Sequence, residues 1–118
     1  MSRAEVERHD GVPVLRPRED IDAANADALR AQLAACVEPG TDRLIVDLGE
    51  TRYIDSAGID MLFRLSEILR QRRAALLLVI PPESNIAQLA DIVGLTHAVR
   101  VHPSLERALG ASVEGSTG

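Results

Sequence analysis

Residues 44–69, LIVDLGETRYIDSAGIDMLFRLSEIL, constrain the fold more than any other stretch. Leu44, Ile45, Val46 and Leu48 form a β-type apolar run with too few polar residues to face water, which predicts a central strand over 43–48. After Gly49 comes a short polar segment, and Asp55-Ser56-Ala57-Gly58 then opens an amphipathic helix. At about 100° per residue, Asp60, Arg64, Glu67 and Gln71 share one arc of that helix, while Met61, Leu62, Leu65, Ile68 and Leu69 fill the other. Ile59 and Phe63 lie off the centre of the apolar arc, where a partner can dock. The competing expectation is that Phe63 tucks beneath a neighbouring loop.

The remaining chain supplies matching parts. Residues 4–8 predict an edge strand, Asp10-Gly11 a hairpin turn, and Val12, Val14 and Leu15 a second strand that Pro13 and Pro17 confine to an edge or a short pairing. The alanine-rich segment 22–37 predicts a helix with Ala26, Leu29, Leu33, Cys36 and Val37 along its buried stripe. Residues 74–80, AALLLVI, predict a second buried strand, closed by Pro81-Pro82. Ser84 is expected to cap a helix over 84–93 whose core face is Ile86, Leu89, Ile92 and Val93, with Gly94 as its end. Val99 to Val101 reads as a short last strand, Ser104 to Leu109 as a terminal helical turn or two, and 111–118 as a flexible tail. The order β, β, α, β, α, β, α, β, α calls for parallel strand pairs with right-handed crossovers. The expected fold class is therefore α/β: one domain over 1–110, with a mixed central sheet of four to five strands packed by about four helices.

Charge and composition remove several function classes. The chain of 118 residues carries a net charge of −5, its thirteen basic residues are all Arg, and its only aromatics are Tyr53 and Phe63. A nucleic-acid binder needs a basic stripe and stacking surfaces that this composition does not offer. Arg70, Arg72 and Arg73 cluster at a predicted helix C-terminus, where the dipole favours cations. Cys36 is alone and fits a reducing interior. The N-terminal MSRAEVERHDG is too charged for a signal peptide, and no apolar run approaches the roughly 20 residues of a membrane span, so the cytoplasm is expected. Ser56 lacks the Gly-x-Ser-x-Gly elbow, and His9, His97 and His102 show no metal-type spacing, so no catalytic residue, metal or cofactor is expected.

Ser56 itself has two readings. The first turn of a helix leaves N–H groups without acceptors, and spacing alone favours Ser56 as a plain N-cap. The same N–H groups and the positive helix end also suit a phosphate, which would bring about −1.5 to −2 charges to one point of the surface. Asp55 and Asp60 flank the serine, and their charge raises the cost of a dianion there.

The segment LIVDLGETRYIDSAGIDML resembles the strand, loop and Asp-Ser-(Ser/Thr)-Gly-Leu helix start of STAS domains, in particular the anti-sigma factor antagonists of bacteria. EDIDAANADAL is similar to the family's Gly-Glu-Leu-Asp segment, and LADIVGLTHAVRVHPSLERAL is a weaker echo, so the resemblance spans nearly the whole chain. It implies that Ser56 is phosphorylated by an anti-sigma factor that is also a serine kinase. The unphosphorylated form would sequester that kinase and free the sigma factor, and a serine phosphatase would reset the system. The implied partner-binding surface comprises Asp22, Asp55, Ser56, Ala57, Gly58, Ile59, Asp60 and Phe63, on a monomer or weak dimer. Three positions depart from the pattern: Ala57 replaces a second hydroxyl, Asp60 a small Gly, and Glu19 a Gly. The same resemblance allows an alternative, a binding subunit of a membrane lipid transporter or larger signalling complex in which Ser56 is only a cap.

Overall fold

The structure, a computed structural model, describes residues 5–111. Five strands pair in the order β1-β2-β3-β4-β5: β1 (Glu5–His9), β2 (Val12–Arg16), β3 (Arg43–Asp47), β4 (Ala75–Val79) and β5 (Arg100–His102). The first pair is antiparallel and the other three are parallel, which makes the sheet mixed with β3 at its centre. Five helices accompany it: α1 (Ala26–Ala35), α2 (Ser56–Gln71), α3 (Asn85–Ile92), α4 (Leu95–Ala98) and α5 (Leu105–Gly110). The sequence pattern contains no separate signal for α4. Residues 112–118 of the expected tail lie outside the described residues, and Ala111 is held by its carbonyl, which accepts from the Arg43 guanidinium at 2.8 Å.

Parallel strands added in sequence order, each joined by a right-handed crossover, put their helices on one face. Leu44, Val46, Leu48, Leu76, Leu78 and Ile80 point to that face and meet Leu33, Leu62, Leu65, Leu69, Ile86 and Leu95 from α1 to α4. Alternate residues Val14, Ile45, Leu77 and Val79 point the other way and are covered by α5 through Ala108, with Leu105 and Leu109 beside it. Continuous apolar runs in β3 and β4 follow from this double burial. Beyond the reach of α5, the second face carries charge: Arg16 donates to Asp47 at 3.2 Å and pairs with Glu7 at 3.5 Å.

The Asp10-Gly11 hairpin forms as expected, with both residues at positive φ, 54° and 84°, in the primed-turn geometry that matches strand twist. Strand β2 is interior, between β1 and β3, and the short pairing expected of a strand with Pro13 is what forms, since the parallel register takes up only Val14 and Leu15. Two expectations need correction. Helix α1 starts at Ala26 and not at Asp22, because Asp22 and Asn25 bond locally: Asn25 Oδ1 accepts from Asp22 N at 2.9 Å, and Asp22 Oδ1 accepts from Ala24 N at 2.9 Å. Helix α3 buries Ile86 and Ala90, while Ile92 is 80% exposed and Val93 41%. Ile92 lies about 120° around the helix from Ile86, and the core place expected for it is taken by Leu95 of α4, which is fully buried.

Candidate functional site

The loop from β3 to α2 is tied down before the helix begins. Leu48 N donates to Val79 O at 2.8 Å, and the hydroxyl of Thr51, only 4% exposed, donates to Pro17 O at 2.8 Å. Ile21 N then donates to Tyr53 O at 3.0 Å and Asp55 N to Ile21 O at 3.1 Å, forming a single parallel bridge between Ile21 and Ile54. This bridge sets the segments leading into α1 and α2 side by side. It therefore places Asp22 next to Asp55 and Ser56, residues more than thirty positions apart in the chain.

Gly58 makes that closeness possible. A Cβ at this position would lie 2.5 Å from Ile54 Cγ1 and 2.8 Å from Ile21 Cγ2, well inside van der Waals contact. Both isoleucines are 1% exposed, and the helix backbone seals directly over them. Gly58 and Ile59, expected on the partner surface, are thus core positions; Ile59 is 7% exposed. Phe63 is half-buried and packs against the main core.

The helix cap is Asp55 and not Ser56. Asp55 Oδ1 accepts from Ala57 N at 2.9 Å and Gly58 N at 3.1 Å, and Asp55 O takes the first helical bond from Ile59 N. Ser56 is the first helical residue, exposed, and its hydroxyl has no hydrogen-bond partner among the described residues. Asp60 is exposed one turn on, and its carboxylate accepts from Arg64 Nε at 2.7 Å, which raises the Arg64 pKa. Ala57 is half-buried at the edge of a groove of about 670 Å³ between α1 and α2, lined also by Ala23, Ala26, Asp27, Met61 and Arg64. Sequence reasoning passed over Tyr53, which is 56% exposed two residues before Asp55. Its signal was an aromatic side chain in a polar loop of a chain with only two aromatics.

Around the serine the arrangement is acidic and solvent-open. Among the described residues no three His, Cys, Asp or Glu side chains come together as a metal site, and no helix is long and apolar enough to cross a membrane. The STAS domain family model matches residues 3–108. A Bordetella bronchiseptica protein described as an anti-sigma factor antagonist, BtrV, is 31% identical over 106 residues, covering 90% of each chain. The anti-sigma-F factor antagonist RsfA of Mycobacterium tuberculosis is 27% identical over 114 residues, 93% of this chain and 87% of RsfA. Among solved structures, an anti-sigma factor antagonist from Mycobacterium paratuberculosis superposes with a TM-score of 0.81 at 28% identity, over 95% of this chain and 93% of that one.

Proposed function

The chain belongs to the STAS domain family, and from that premise we propose that it is an anti-sigma factor antagonist switched at Ser56. The unphosphorylated form binds an anti-sigma factor that is also a serine kinase, and the sigma factor is released. The kinase moves the terminal phosphoryl group of ATP to Ser56 Oγ, the hydroxyl proton passes to a base on the kinase, and ADP remains. The new dianion then faces Asp55 and Asp22 on its own chain and the phosphates of the nucleotide on the other, so the complex separates. A serine phosphatase restores the hydroxyl by hydrolysis.

The observation that carries this reading is the division between neighbours at the helix start. Asp55 caps the amides, so the Ser56 hydroxyl is exposed and unengaged. A serine needed for the cap would not be free for an incoming enzyme. The names of BtrV and RsfA support the same role.

The test uses the purified chain, the anti-sigma factor encoded in the same genome, and Mg-ATP. Phosphate is expected on Ser56 by mass spectrometry, Ser56→Ala is expected to bind but resist release, and Ser56→Asp to bind at least tenfold more weakly. Equal affinity of wild type and both variants, with Ser56 unmodified, would refute the switch.

A further inference from the structure

Among the described residues, Tyr53 is the one large apolar side chain that the two segments joined by the Ile21–Ile54 bridge leave in solvent. Side chains alternate along an extended chain, so the inward turn of the buried Ile54 sends Tyr53 and Asp55 outward together. The Asp55 carboxylate reaches over the first amides of α2, and the tyrosine ring therefore stands on the side of the loop where that helix starts. Its backbone is held from both directions: Thr51 Oγ1 donates to Pro17 O at 2.8 Å, Tyr53 O accepts from Ile21 N at 3.0 Å, and Asp55 N donates to Ile21 O at 3.1 Å. Only the two side-chain torsions of the ring are left to be ordered when a partner covers it.

A single exposed apolar side chain is ordinary on a protein surface. What distinguishes Tyr53 is where it stands. It precedes Ser56 by three positions, a span of at most about 11 Å between Cα atoms. An interface of ordinary size covers about 800 Å² of each partner, a disc about 16 Å in radius. A kinase that encloses Ser56 Oγ in order to phosphorylate it therefore covers Tyr53 as well. Tyrosine is one of the residues that carry binding energy at interface centres, because a stiff ring buries much area at small entropic cost.

Resting on the reading of this chain as an antagonist, we propose that Tyr53 is an anchor of its contact with the anti-sigma factor, the ring being buried by the partner while Ser56 lies in the kinase site. Ile92 and Val93 do not share that position. Strands β3, β4 and β5 are parallel, so α3, like α2, starts past the end of its strand and runs back along the sheet, which carries its last residues away from the end where Ser56 lies.

The test compares Tyr53→Ala, Tyr53→Phe and, as a control at the far end of α3, Ile92→Ser, with affinity for the purified anti-sigma factor measured by calorimetry. Tyr53→Ala is expected to bind about tenfold more weakly or worse, while Tyr53→Phe and Ile92→Ser stay within about threefold of wild type. Its Tm should stay within about 2 °C of wild type, because the ring is exposed. With Mg-ATP, Tyr53→Ala should raise the KM for phosphorylation of Ser56 about tenfold and leave kcat within about threefold. Binding of Tyr53→Ala within about threefold of wild type overturns the inference and leaves the switch at Ser56 standing. An equal loss in Ile92→Ser, or a loss matched by a fall in Tm, also overturns it, by assigning the effect to general surface apolarity or to the fold. Failure of the wild type to bind the anti-sigma factor sinks the antagonist reading and this inference together.

Discussion

Replacing Gly58 with alanine adds one methyl group where two loops and a helix close on each other. The methyl would meet Ile54 Cγ1 at 2.5 Å, Ile21 Cγ2 at 2.8 Å and Ile54 Cδ1 at 2.9 Å, against roughly 3.5–4.0 Å for relaxed carbon contacts. Neither isoleucine can swing away cheaply: both are β-branched, 1% exposed, and fixed by the backbone bridge they share. Overpacking of this kind costs about 1–3 kcal/mol, and two obstructing side chains put it in the upper part of that range. Alanine regains up to about 1 kcal/mol of helix propensity over glycine. The net expectation is a loss of about 1–2 kcal/mol, or roughly 4–10 °C in Tm for a domain of this size. Urea denaturation of Gly58→Ala beside Gly110→Ala provides the comparison, since a Cβ at Gly110 meets nothing within 4 Å. If Gly58→Ala matched or exceeded wild-type stability, close packing would not be the reason for glycine there.

Asp55→Ala removes the acceptor of two helix amides and is expected to cost about 1–2 kcal/mol in urea melts, whereas Ser56→Ala should stay within about 0.5 kcal/mol. His102 is half-buried, and burial followed by the charges of Arg100 and Arg107 holds its pKa below the ordinary value of 6.5. The unfolded chain therefore binds the proton more readily, so stability falls as pH drops through about 6.5 and goes on falling to the folded pKa. His102→Gln should flatten Tm between about pH 7.5 and 5.5, and an unchanged slope would refute the assignment. Ile92→Ser is expected to shift stability by no more than about 0.5 kcal/mol, against about 2–5 kcal/mol for Leu95→Ala. A large loss at Ile92 would restore it to the core.

What could be read from the sequence was what depends on local pattern. The apolar runs of β3 and β4, the Asp10-Gly11 turn and the polar arc of α2 each carry their structure in neighbouring residues, and each formed as expected. The errors lie where side chains compete with a pattern or where distant segments meet. Asp22 and Asn25 draw the backbone into a turn that an alanine-rich helix pattern does not reveal. Which of two adjacent capping residues takes the amides depends on a backbone angle: Asp55 is extended, at φ −101° and ψ −171°, and so aims its carboxylate back over the helix start. The role of Gly58 depends on Ile21, a residue no local window contains. Ile92 stood on a plausible apolar arc until α4 supplied Leu95 to the same core.

Asp55, Ser56 and Gly58, within four consecutive positions, separate stability from the proposed signalling. Asp55 satisfies the helix start and Gly58 permits the loops to close, so neither can be altered without strain on the fold. Ser56 sits between them and contributes to neither task. On the proposed reading, a phosphate there would gain about 0.3–1 kcal/mol from the helix dipole and lose a comparable amount to the neighbouring carboxylate of Asp55. With those two terms opposed, the domain is nearly indifferent to the modification, and the effect of the charge falls on whatever occupies the adjoining surface. The consequence is measurable: Ser56→Asp should leave Tm within about 2 °C of wild type while binding to the anti-sigma factor falls. A parallel collapse of both would mean that the serine acts through the fold and not at an interface.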